Sequence, residues 1–102
     1  MYRYTTPTLP ITIEGIDFSE VDYFRIAIER GDNELLFTVN ANDESVDAET
    51  NTIYISLTQE QTAQFEEGYV RIQARIKYLS GVVQATQIAK VSVHGVLDEV
   101  VI

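Results

Sequence analysis

The chain has 102 residues, enough for one domain, with 45% hydrophobic side chains and seven basic residues against sixteen acidic ones, a net charge of −9. The hydrophobic fraction argues against disorder, and the acidic balance disfavours nucleic acid or anionic lipid as the main partner. The absence of cysteine removes disulfides, thiolate metal sites and cysteine nucleophiles. With no apolar run near the roughly 20 residues of a membrane span, the expectation is a complete soluble product made in the cytoplasm.

Residues 1–7 carry little pattern and read as a flexible arm. Thr8 to Glu14 predicts a strand with Leu9, Ile11 and Ile13 on one face. Pro10 cannot donate to a ladder, so this strand belongs at a sheet edge or starts irregularly. Gly15 ends it, and residues 16–22 form a connection. Tyr23 to Arg30 alternates next, with Phe24, Ile26 and Ile28 on one face and Tyr23, Arg25, Ala27 and Glu29 on the other. Gly31-Asp32-Asn33 is a turn signal. A third strand follows over Glu34 to Val39, with Leu35, Phe37 and Val39 in phase, and residues 40–51 read as a polar, acidic loop.

Thr52 to Leu57 predicts a fourth strand, with Ile53, Ile55 and Leu57 inward and Tyr54 outward. Thr58-Gln59-Glu60-Gln61 fits a capping box, so one or two helical turns should run to about Phe65 and end before Gly68. Ala63 and Phe65 would hold this helix on the sheet. The clearest element is Tyr69 to Leu79: Val70, Ile72, Ala74, Ile76 and Tyr78 alternate with Arg71, Gln73, Arg75 and Lys77.

Ser80-Gly81 turns the chain into a hairpin. Across that turn Val83, Ala85, Ala89, Val91 and Val93 are expected inward. Ile88 is out of phase, so either Gln87 faces inward near a rim or, the favoured reading, a bulge near Gln87 and Ile88 lets the strand cross between sheets. The apolar tail, residues 96–102, is expected to pack on its own domain or on a partner. Together these elements predict one all-β domain, an immunoglobulin-like antiparallel β-sandwich with one short helical crossover, with a small β-barrel as the alternative.

Few residues suggest chemistry. His94 is the single histidine and has no nucleophile or carboxylate fixed beside it in the sequence. The nucleophile-elbow, phosphate-loop and zinc-protease patterns are absent. Asn40, Asn42, Asp43, Glu44, Asp47 and Glu49 offer hard oxygens, but without the glycine and ligand spacing of a calcium loop they read as solvated, as do Asp17, Glu20 and Asp22. The expectation is no enzyme, no metal and no cofactor. The candidate interface comprises Tyr23, Tyr54, Tyr69, Arg71, Arg75 and Lys77. Outward tyrosines are enriched at protein contacts, and the three cations could meet an acidic partner or pair across the sheet with carboxylates such as Glu29.

Leu57-Thr-Gln-Glu-Gln-Thr, Phe65-Glu-Glu-Gly68, the alternating Val70-to-Ile76 strand, Ala85-Thr-Gln-Ile-Ala-Lys-Val-Ser-Val93 and Val96-Leu-Asp-Glu-Val-Val-Ile102 form one ordered series. The series resembles small proteins encoded among the tail genes of Firmicutes prophages, and the N-terminal domain of phage baseplate upper proteins. Tyr4-Thr-Thr-Pro7-Thr-Leu9 and the Tyr23-to-Val39 hairpin agree with the same set. The resemblance implies a β-sandwich module of virion structure or assembly, with no active site to carry over. Baseplate upper proteins continue into assembly segments absent here, which favours an accessory tail protein or assembly factor. Its partners would be phage structural proteins or further copies of itself. Its place would be the host cytoplasm during assembly, with the virion as a further location. The competing expectation is a host-encoded immunoglobulin-like binding module for a carbohydrate or protein ligand.

Overall fold

The computed structural model describes residues 1–30, 35–41 and 46–102, with backbone alone at 35–37, 40 and 41. The strands are β1 (Thr8–Thr12), β2 (Val21–Arg30), β3 (Leu35–Ala41), β4 (Val46–Asp47), β5 (Thr52–Ser56), β6 (Gly68–Tyr78), β7 (Val83–Ala85) and β8 (Ala89–Val93), with one α-helix, α1 (Gln59–Ala63). The turn expected at 31–33 lies outside the described residues.

Two antiparallel sheets make the all-β sandwich. The smaller has the order β1-β5-β4; in the larger, β2 lies between β3 and β6, and the far edge of β6 carries β7 and then β8. An antibody domain places its second strand between its first and fifth; here β2 pairs with β3 and β6 instead. Pro10 stands in β1 at an outer edge, where a missing donor breaks no ladder.

Alternation decides the core. Phe24, Ile26 and Ile28 of β2 meet Val70, Ile72, Ala74 and Ile76 of β6, and Ile53, Ile55 and Leu57 close over them from the smaller sheet. Each large aliphatic side chain so buried contributes about 1.5–3 kcal/mol relative to leaving it exposed. The crossover carries the expected capping box: Gln61 N–H donates to Thr58 Oγ1 at 3.1 Å, and Thr58 N–H donates to Gln61 Oε1 at 2.9 Å. Phe65 is fully buried. The other fully buried residue of this segment is Thr62 rather than Ala63, because its hydroxyl donates to Thr5 C=O at 2.8 Å and accepts from Thr5 N–H at 3.1 Å.

Val83 and Ala85 require a correction. A two-residue Ser80-Gly81 turn would put them inward, but Tyr78 N–H bonds Val82 C=O, leaving a three-residue loop with Gly81 at φ +93°. The one-residue shift sets Val83 opposite Lys77 and Ala85 opposite Arg75, so both face solvent. The register then recovers. Between Ala85 and Ala89 the outer strand spends one residue more than β6 does between Arg75 and Ile72, and Val91 and Val93 return to the core side. The expected bulge is present at Thr86–Ile88, but β8 stays on β6 and does not change sheet. Thr86 closes the gap: its hydroxyl accepts the Ala74 N–H at 3.1 Å, and its own N–H donates to Ala74 C=O at 2.9 Å.

The first residues, expected as a free arm, are hydrogen-bonded along the end of β8. His94 N–H donates to Met1 C=O, and Arg3 N–H donates to His94 C=O. The C-terminal tail is held by polar contacts, Arg3 with Glu99 and the Gln59 amide with the Ile102 backbone, while Leu97, Val100, Val101 and Ile102 stay exposed. Its apolar side chains from Leu97 on are not packed on the domain, which leaves the other expectation, packing on a partner.

Candidate protein-docking face

The outer face of the larger sheet gathers most of the candidate interface. Strand phase and register bring Tyr23, Arg25 and Glu29 of β2, Tyr69, Arg71, Arg75 and Lys77 of β6, and Lys90 of β8 onto one surface. Five of the seven basic residues stand there with Glu29 as the acidic member among the described residues. Among the described residues two basic and eleven acidic ones lie elsewhere. The face is therefore positive on a molecule that is otherwise strongly negative.

Tyr54 is not part of it. It lies on the outer face of the smaller sheet, opposite Pro10, on the other side of the sandwich. Its exposure, 41%, falls between the 42% of Tyr23 and the 40% of Tyr69, so phase alone could not separate the three. Arg25 and Lys90 are the residues that the candidate set missed. Arg25 was legible from the alternation of its strand. Lys90 becomes visible once the bulge sets its register opposite Arg71.

The cations on this face are not equivalent. Arg71 stands opposite Glu29 and ion-pairs with it at 3.2 Å, the cross-strand pairing expected of an ordinary charged surface. Lys90 lies over the Tyr69 ring, 4.8 Å from its centroid, and Lys77 over Tyr23 at 5.6 Å. Arg25 and Arg75 are direct register partners, like charges side by side, and neither has a carboxylate within ion-pair distance among the described residues. With Tyr23, Lys77 and Val83 they line a shallow pocket of about 80 Å³.

The other candidates are less organised. His94 is exposed, its ring 5.4 Å from that of Tyr2, and its backbone holds the N-terminal residues. Asp17 caps a short 3₁₀ turn at Phe18–Glu20; it accepts from the Ser19 hydroxyl at 2.7 Å and the Ser19 N–H at 3.0 Å, which holds its carboxyl below the ordinary aspartate value. Part of the acidic stretch after Asn40 lies outside the described residues. Among the described residues no three His, Asp or Glu side chains come together as metal ligands, and no helix is long and apolar enough to cross a membrane.

A cleft of about 910 Å³ opens between β1 and the β7–β8 edge, with Leu9, Ile11, Ile72, Ala74, Ile76 and Val91 among its walls. Among the described residues that line it none is aromatic, and Glu14 is the charged one. Set beside protein-family models, curated proteins and solved structures, the chain matches none of them.

Proposed function

We propose that this chain is a non-enzymatic docking module that seats an acidic protein surface on the outer face of its larger sheet, and that it serves in the tail or baseplate region of a tailed bacteriophage or prophage. The observation that carries the docking is the segregation of charge: five of seven cations share one strand-built face with two half-exposed tyrosines. Complementary potentials of this kind steer encounter and fix orientation more than they add raw affinity. Tyrosine supplies contact area at low conformational cost. A protein surface is a better fit than nucleic acid, because a polyanion reaching past this face would meet the acidic remainder of the molecule. The phage assignment rests on the ordered resemblance of Leu57 to Ile102.

Two experiments test the reading. Sequencing the DNA on either side of the gene should reveal tail-tube, tape-measure, baseplate, holin or lysin genes; metabolic or cell-surface neighbours would overturn the phage role. Purified products of the neighbouring tail genes, and the chain itself, should then be assayed for binding. Arg75→Glu with Lys77→Glu should abolish the contact and Tyr54→Ser should leave it intact. Equal behaviour of the two variants would overturn the docking face.

A further inference from the structure

We infer that Tyr23, Arg25, Arg75, Lys77 and Val83 form a seat for a single oxyanion, a carboxylate presented by an acidic segment of the partner. This deepens the docking reading and rests on it for the partner's identity, but its geometry stands on separate observations.

The first is the register. Arg25 and Arg75 are paired residue to residue between β2 and β6 and project from the same face, with Lys77 two residues along β6 and opposite Tyr23. Like charges directly opposite one another destabilise a sheet. The second is the contrast with the other arginines. Arg3 is paired with Glu99, Arg30 with Glu66 and Arg71 with Glu29, at 3.0, 3.0 and 3.2 Å. A chain with sixteen carboxylates has supplied one to each of these and none, among the described residues, to Arg25 or Arg75.

The third is shape. The pocket these residues line holds about 80 Å³, between two and three times the roughly 30 Å³ that a water occupies in the liquid. That is room for one carboxylate group in a depression open to solvent. Two guanidinium forks match the oxygens of a carboxylate, and an ammonium adds a third donor without demanding a fixed geometry. The Tyr23 ring, beside Lys77, and the Val83 side chain, 53% exposed, form apolar walls that would shed water as the anion enters. An oxyanion bridging Arg25 and Arg75 converts their repulsion into attraction.

The test is a titration of the whole chain with a hexaglutamate peptide at fixed ionic strength, read by NMR at the arginine Nε–H groups and the β2 and β6 amides. Saturable shifts are expected at Arg25, Arg75 and Lys77. Arg25→Gln and Arg75→Gln should each weaken binding about ten-fold or more, the scale of one charge-assisted hydrogen bond. Arg30→Gln, which removes the same charge away from the seat, should change it less than two-fold. Both seat variants should fold, with unfolding temperatures at or above that of the parent, since each removes a like-charge contact.

Non-saturating shifts, or an Arg30→Gln effect equal to that of Arg75→Gln, would overturn the seat in favour of a diffuse field. Saturation by inorganic phosphate alone, with hexaglutamate inert, would overturn the carboxylate assignment. Hexaglutamate held at the seat without binding to any tail protein would keep the seat and remove the docking function. Tail-protein binding that survives Arg75→Gln but not Tyr69→Ser would do the reverse.

Discussion

The two outer faces of the sandwich are built on the same pleat and expose their tyrosines equally, yet they handle polarity in opposite ways. On the smaller sheet Thr8 meets Ser56 at 3.4 Å and Thr12 meets Thr52 at 3.1 Å, hydroxyl to hydroxyl across the strands. Neutral groups there satisfy one another, beside Pro10 and Tyr54. On the larger sheet, charge replaces hydroxyl and the books do not balance: Arg71 finds Glu29, while Arg25 and Arg75 find each other. Exposure does not distinguish the two surfaces. The fate of each polar group does.

The comparison can be broken outright by removing what holds the sheets together. Phe65→Ala should cost about 3–5 kcal/mol, because Phe65 is fully buried between crossover and core. Against a total stability of roughly 5–15 kcal/mol, that loss should move the urea midpoint far enough to threaten both faces at once. A smaller change separates them: Tyr23→Ser or Tyr69→Ser should weaken partner binding about ten-fold, a cost of about 1.4 kcal/mol, while Tyr54→Ser leaves the same titration unchanged. Thr58→Ala removes one half of the capping box and should cost about 1 kcal/mol in chemical denaturation, with equal effect on both faces.

The finest tests concern charge. Arg71→Gln should lose about 0.2–1 kcal/mol, shrinking as salt is added, because it breaks a cross-strand ion pair. Arg75→Gln should lose nothing and should gain at low salt. The same sign in both would erase the distinction drawn between them. Asp17 offers a control away from either face. Its folded pKa is lowered by Ser19, so its contribution is complete above the unfolded value of about 3.9 and disappears as pH falls through the lower folded value. The parent chain should therefore lose its advantage over Ser19→Ala only below about pH 4, in acid-unfolding midpoints.

Much of this architecture was legible because period-two alternation and a capping box are local signals. Phe24, Ile26, Ile28 and the Val70-to-Ile76 row fell inward as their phase required. Val83 and Ala85 were misassigned because a single loop residue decides the face of everything after it, and Gly81 serves a two- or three-residue loop equally well on paper. The proposed docking face was half legible. Its tyrosines and three of its cations follow from phase, but the Arg25–Arg75 pairing depends on which residues of two distant strands come to lie opposite, and no local pattern encodes that. The two-residue strand β4 and the Thr86 hydroxyl acting as a ladder acceptor were invisible for the same reason: each acquires its role from a partner remote in sequence.

The hydrogen bonds that tie Met1 and Arg3 to Ser92 and His94 have a consequence for synthesis. The α-amino group of Met1 donates to the Ser92 carbonyl across 91 residues of chain. At a synthesis rate of roughly 5–20 residues per second, residues 1–3 are made about 5–18 s before residues 92–94. The opening segment must stay unpaired through that interval, so the part of the fold made first is among the last to be secured.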